Sequence, residues 1–464
     1  MRSPWHHTVS GESRSGPVSS VCGMWERALS RTMPRIDQLR AEATLRFAHV
    51  SALRMELAMA QMNYAVPEEL LPFVGDIIDV DTHESLPINH WQERYGSIVN
   101  DFANALTDAK FPVGLDLKEK DDTEINADTV WKNKRLAAPG AFDFERRLEV
   151  MNLTGVKQQI VFPGAMGLMA VYFHANAHNP NLMRTLSWAA EERRSYALKL
   201  IKAYNAWVGR TAGQSSRFQP VGILCGDTPD ELISEAKRLI ADGVRGLWMP
   251  SSTPPAGRSP AHPDLDPLWD ALASAAVPIY AHVGADHGFL KTEIWREAPA
   301  FEGFRMGEEH SLDPWILSTN HRATENFLTT MIVGGVFERH PTLRYGAMET
   351  GGNWIGPLAE HLDMWINGSG IFLGSATRKP DLSLKPSEYI RRNVRVAPFG
   401  FEDVGHYISL YGMPEVYCYQ SDFPHIEGGK NPMGDTVRSF ARQGMGQEIM
   451  KMFYCENAKL LVPN

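Results

Sequence analysis

The chain has only four cysteines in 464 residues, Cys22, Cys225, Cys418 and Cys455, and no Cys-x-x-Cys pair. That scarcity excludes a disulfide scaffold and a thiolate zinc site, and predicts a reducing, cytoplasmic setting with Cys225 and Cys418 as inert core thiols. No apolar run approaches the roughly 18 to 20 residues of a membrane span, and the most apolar stretches, such as Met331 to Phe337, have the length of a strand or a helix turn. A basic tract interleaved with aromatics is also missing, and the net charge of −9 opposes polyanionic partners. A soluble protein that binds neither nucleic acid nor membrane is therefore expected.

What is present is the balance of a globular protein, with 43% hydrophobic and 22% charged residues. Residues 1–32 are rich in Arg and Ser and lack the apolar segment of a secretory signal. They read as a disordered start, either a transit peptide or the product of a start placed ahead of Met24 or Met33. Ile36, Leu39, Ala43, Phe47, Val50, Leu53 and Leu57 step by three or four, which predicts a helix from about Met33 to Val66 that Pro67 ends, within a helical extension over 33–74.

From Gly75 onward, apolar runs alternate with amphipathic stretches. Strands are predicted at 76–81, 158–162, 219–224, 244–249, 277–282, 343–348 and 416–420, with a weaker candidate at 328–333. The helix over 229–242 opens on Asp227-Thr-Pro-Asp and carries Leu232, Ile233, Ala236, Leu239 and Ile240 on one side. Such alternation implies parallel strands with crossover helices, and eight of them make a closed (β/α)8 TIM barrel over 75–464. Irregular stretches at 84–142, 285–324 and 372–402 are long insertions, expected as pocket walls.

Polar residues collect at the carboxyl ends of the predicted strands. Asp81 and His83 alternate at the end of the first, so both side chains point to one side. A capped turn explains an isolated Asp-x-His equally well. His282 closes an apolar strand, and Asp422 caps the last one, where an N-cap to the next helix is the competing reading. His174 and His178 are spaced for chelation but read as a loop leaving the second strand. Trp91, Trp131, Trp295, Phe301, Trp315 and Phe423 suggest a flat or apolar small-molecule substrate, and Arg245, Arg258 and His321 are candidate anchors for an acidic group.

Several motifs occur together and in order: Asp79-Val-Asp-Thr-His83 with Trp91, Arg147 to Pro163, Tyr204-Asn-Ala-Trp207, Pro278-Ile-Tyr-Ala-His282, Glu349-Thr-Gly-Gly-Asn-Trp354 and Ser421-Asp-Phe-Pro-His425. In these the chain resembles the amidohydrolase-related metal-dependent hydrolases, which include aminocarboxymuconate-semialdehyde and aromatic-acid decarboxylases. The resemblance implies one divalent ion held by Asp81, His83, His282 and Asp422, and two imidazoles with two carboxylates suit zinc or manganese. It also implies that helical appendages pair two copies into a homodimer. The second metal's carboxylated lysine has no counterpart, because the fourth predicted strand ends in Met249-Pro250.

Where the family's decarboxylases carry a His, after what is read here as strand seven, this chain has Glu349. Hydrolysis through metal-activated water is thus the leading expectation, with Asp422 as general base and Glu349 or His425 assisting. Decarboxylation of an aromatic or unsaturated acid is the alternative, and a catalytically dead binding barrel is the third reading. Trp91, His321, Arg245 and Phe423 are the expected substrate contacts.

Overall fold

The computed structural model describes residues 64–108, 117–178, 190–284, 297–302, 314–368 and 380–462, together with Phe289 and Trp295. The predicted helix before residue 64 and the disordered start lie outside the described residues, as do 285–288, 290–294, 296 and 303–313 of the insertion expected over 285–324.

Eight short parallel strands form the centre: β1 Ile77–His83, β2 Val156–Phe162, β3 Phe218–Pro220, β4 Gly222–Ile223, β5 Leu247–Trp248, β6 Ile279–His282, β7 Tyr345–Met348 and β8 Val394–Val396. They run in the orders β1-β2-β3 and β4-β5-β6-β7-β8. β3 and β4 are one barrel strand interrupted at Val221, whose N–H donates to Val161. The ring is completed by the extended segment 417–423. Tyr417 bridges to Val396 of β8 and Phe423 to Thr82 of β1, while Val80 N–H donates to Tyr419 O at 3.1 Å and Asp422 N–H to Asp81 O at 2.9 Å. The chain folds as a (β/α)8 TIM barrel.

Local chemistry explains the elements. The helix Pro229–Ala241 starts with a full capping box between Thr228 and Glu231, and buries Leu232, Ala236 and Leu239 as its apolar stripe requires. All seven residues of β1 are buried, including four polar ones, so each needs a partner. Thr82 Oγ1 donates to Ile160 O at 2.8 Å, and Asp79 accepts from Ser421 N and Oγ at 2.9 and 2.6 Å. Asp79 thereby fastens the first strand to the last.

Three expectations are corrected. Residues 328–333 are not a strand but the end of the helix His321–Val333, whose buried residues Ala323, Thr324, Phe327, Leu328, Met331 and Ile332 keep helical spacing. The seventh barrel strand is instead the three-residue β8, hidden in a stretch read as irregular. β7 is therefore the sixth barrel strand, and Glu349 follows the sixth, not the seventh. His174 likewise ends the helix Ala165–Ala175 rather than lying in a loop, and is buried with Nε2 3.7 Å from Asp227.

Candidate active site

The barrel's carboxyl end brings together side chains distant in sequence. His83 Nε2 lies 3.5 Å from Asp81 Oδ1, 3.5 Å from Asp422 Oδ1 and 3.6 Å from Glu349 Oε2. His282 Nε2 lies 3.5 Å from Asp81 Oδ1 and 3.1 Å from Glu349 Oε2. All five residues are at most 4% exposed. Potential donor atoms fall into two quartets, Asp81–His83–His282–Glu349 and His83–Glu349–Asp422–His425, each within 4.8 Å.

Backbone carbonyls orient both imidazoles. His83 Nδ1 faces Pro163 O at 3.1 Å, and His282 Nδ1 faces Val283 O at 2.8 Å, so each ring turns Nε2 toward the centre. Phe162 stacks on His282 at 4.5 Å and Trp248 meets it edge-on at 5.9 Å, walling the centre with apolar rings. His425 stacks on His83 at 3.9 Å and places Nδ1 3.1 Å from Asp422 Oδ1.

This arrangement fits a divalent cation. Both Asp81 oxygens and His282 Nε2 are buried without a hydrogen bond among the described residues. The ion-pair neighbours of Asp81 and Asp422 are imidazoles. Buried carboxylates without a cation are costly, and ligands around a small divalent ion stand about 3.0 to 3.4 Å apart, close to the separations here. Burial pushes the Asp422 carboxyl up to about 6, opposed by His425 and reinforced by the negative charge of Asp81. Asp422 and Glu349 both hold left-handed backbones, with φ of 51° and 50°. For non-glycine residues this is a strain that clusters at working sites.

A supporting layer escaped the sequence reading. Arg147 is fully buried, and its guanidinium donates to the carbonyls of Gly140, Ala141 and His83, the last at 2.9 Å. Burial lowers its pKa to about 10, against the pull of Asp121, Asp79 and Glu84. Glu84 is pushed up by burial, and accepts from Leu86 N at 2.9 Å, Tyr95 OH at 2.9 Å and Gly164 N at 3.2 Å. It ties the turn after His83 to the turn after Pro163. A Cβ on Gly164 would lie 1.9 Å from Glu84 O. Gly164→Ala is therefore expected to destabilise the fold by about 3 kcal/mol or more, as backbone must move in a packed interior; a denaturant titration within 1 kcal/mol of wild type would refute this.

The expected substrate contacts fare differently. Arg245 is exposed at the amino end of β5, beside Gln158, Ser215 and Val462, at the opposite end of the barrel from the site. It is withdrawn as an anchor, because a residue before a barrel strand cannot reach the mouth. Trp91 is a core residue, donating from Nε1 to Leu86 O at 3.0 Å and stacking on Phe102. Phe423 is buried with the Arg147 guanidinium 4.6 Å from its ring centre. His321 is buried against Trp354 at the start of its helix, which lowers its pKa to about 4. The contacts of these three are with neighbouring protein groups.

Residues 78–463 match the model of a family described as amidohydrolase. No curated relative matches the chain. Among solved structures, an amidohydrolase from Mycobacterium avium subsp. paratuberculosis K-10 is 20% identical with a TM-score of 0.57, over 84% of this chain and 99% of that one. 5-Carboxyvanillate decarboxylase from Sphingomonas paucimobilis is 17% identical at 0.52, over 84% and 99%. Dihydroxybenzoic acid decarboxylase from Polaromonas sp. JS666, with bound manganese, is 15% identical at 0.50, over 84% and 97%.

Proposed function

The chain belongs to the amidohydrolase family, and on that footing we propose that it is a metal-dependent, non-oxidative decarboxylase of an aromatic carboxylic acid. Asp81, His83, His282 and Asp422 would hold one divalent ion, manganese or zinc. When bound, the ion supplies Lewis-acid polarisation and charge for the substrate's oxygens. A single ion follows from His83, which turns only Nε2 inward and shares it with Asp81, Glu349 and Asp422.

The observation that carries this reading is a buried acid in a centre walled by Phe162 and Trp248. Loss of carbon dioxide disperses a carboxylate's charge, so an environment poor in water favours it, and the ring carbon left behind needs a proton. Asp422 is held in place for that transfer. Its carboxyl gives a proton to the ring carbon as the bond to the carboxylate carbon breaks and carbon dioxide departs. His425 Nδ1, 3.1 Å from Asp422 Oδ1 and partly open to solvent, returns a proton to it. The decarboxylase neighbours of similar fold support this chemistry over hydrolysis.

Glu349 keeps hydrolysis as a second reading, since a carboxylate beside the centre can also handle a water proton. Purified protein supplied with manganese or zinc should release carbon dioxide from a panel of hydroxylated benzoic acids. Amine release from small amides with no carbon dioxide would instead favour hydrolysis. Removing the metal with a chelator should abolish turnover, and manganese or zinc should restore it; full activity in metal-free protein would end both readings.

A further inference from the structure

We propose that Glu349 is a fifth protein ligand of the metal centre and that it makes the site prefer manganese over zinc. This rests on the metal-centre reading above and adds to it a residue outside the four ligands that the family resemblance implies.

Glu349 occupies ligand space as closely as the other acids do. Its Oε2 stands 3.1 Å from His282 Nε2 and 3.6 Å from His83 Nε2, where Asp81 Oδ1 stands 3.5 Å from each. Donors about 2.1 Å from an ion are about 3.0 Å apart when six surround it and about 3.4 Å apart when four do. Glu349 is also common to both donor quartets, as is His83. Because His83 Nδ1 is taken by Pro163 O, the two quartets close on one ion through the same nitrogen. The left-handed turn at Glu349 follows β7 directly and brings its carboxylate against the two imidazoles.

The chemistry follows from the count. Asp81, His83, His282, Glu349 and Asp422 offer two nitrogens and three oxygens, whereas zinc is satisfied by four donors in a tetrahedron. An oxygen-weighted set of five suits a six-coordinate, harder ion such as manganese, and leaves one position for a substrate oxygen. The negative charges of Asp81 and Glu349, joined by that of Asp422 once its proton has gone, also weaken the pull of a doubly charged ion on that oxygen, a difference from a centre bearing His at this place.

Full-length metal-free protein should be titrated with manganese and with zinc by calorimetry, as wild type and as Glu349→Gln, with circular dichroism confirming the fold. The variant should bind manganese at least about tenfold more weakly, with a smaller loss for zinc, so that the manganese preference falls. Equal manganese affinity in variant and wild type overturns the ligand assignment and leaves the metal centre standing. If wild type binds neither ion, the metal-centre reading fails and this one with it. A crystal structure of manganese-loaded wild type, with anomalous scattering at the manganese edge, needs no variant. A Glu349 oxygen within about 2.4 Å of the ion supports the assignment, and one beyond about 3 Å overturns it.

Discussion

Replacing Asp422 with asparagine is expected to lower turnover by about two to four orders of magnitude, the usual worth of a positioned acid or base, while the fold survives. The side chain keeps its shape but can no longer hold and release a proton. Asparagine tolerates the left-handed backbone that Asp422 adopts at φ 51°, so the hydrogen bond from its N–H to Asp81 O can persist. Removing a buried carboxylate also removes a desolvation cost, so the melting temperature should stay within a few degrees of wild type or rise. Steady-state kinetics on a substrate identified by carbon dioxide release, beside a thermal melt, make the measurement. Activity within tenfold of wild type in a folded, metal-loaded variant would remove Asp422 from the proton-transfer role.

Arg147→Met is expected to lower stability by about 3 kcal/mol or more. The methionine fills much of the same volume, but three carbonyls, those of His83, Gly140 and Ala141, lose a charged donor in a fully buried place. The Phe423 ring loses the guanidinium 4.6 Å from its centre. Arg147→Lys should not rescue the loss, because an ammonium cannot present the planar fork that reaches several acceptors at once. Metal affinity should fall as well, by about 10- to 100-fold, since Arg147 fixes the backbone that carries His83. Urea titration and metal binding test the two effects separately. A stability within 1 kcal/mol of wild type would show that Arg147 is replaceable.

These two residues show why the site was only partly legible. Asp422 was visible as a candidate, because an acid that ends an apolar run stands where barrels carry their working residues, although an N-cap explains it in the sequence as well. Arg147 was not. It sits in the helix Phe144–Leu153, where an arginine usually marks a solvated face, and its burial depends on the close approach of residues 140–141 and the end of β1. Pro163 O and Val283 O leave no side-chain signal at all, yet they decide which imidazole nitrogen faces inward. Arg245 misled for the opposite reason: its charge is plain in the sequence, but it stands at the start of the predicted strand 244–249, the end away from the mouth.

The alternation of apolar and amphipathic runs determined the barrel, because period and turn chemistry are local and the closed parallel sheet is the solution that buries every strand. The same locality determined that Asp81, His83, His282 and Asp422 lie at strand ends. Tertiary structure alone decided the strand count around β7 and β8, since three residues, Val-Arg-Val, carry too little pattern to separate strand from loop. It alone also decided that Glu349 joins the two imidazoles and that Phe423 faces Arg147. Those are matters of distance across the ring, which depend on how eight strands shear past one another and not on any residue's near neighbours.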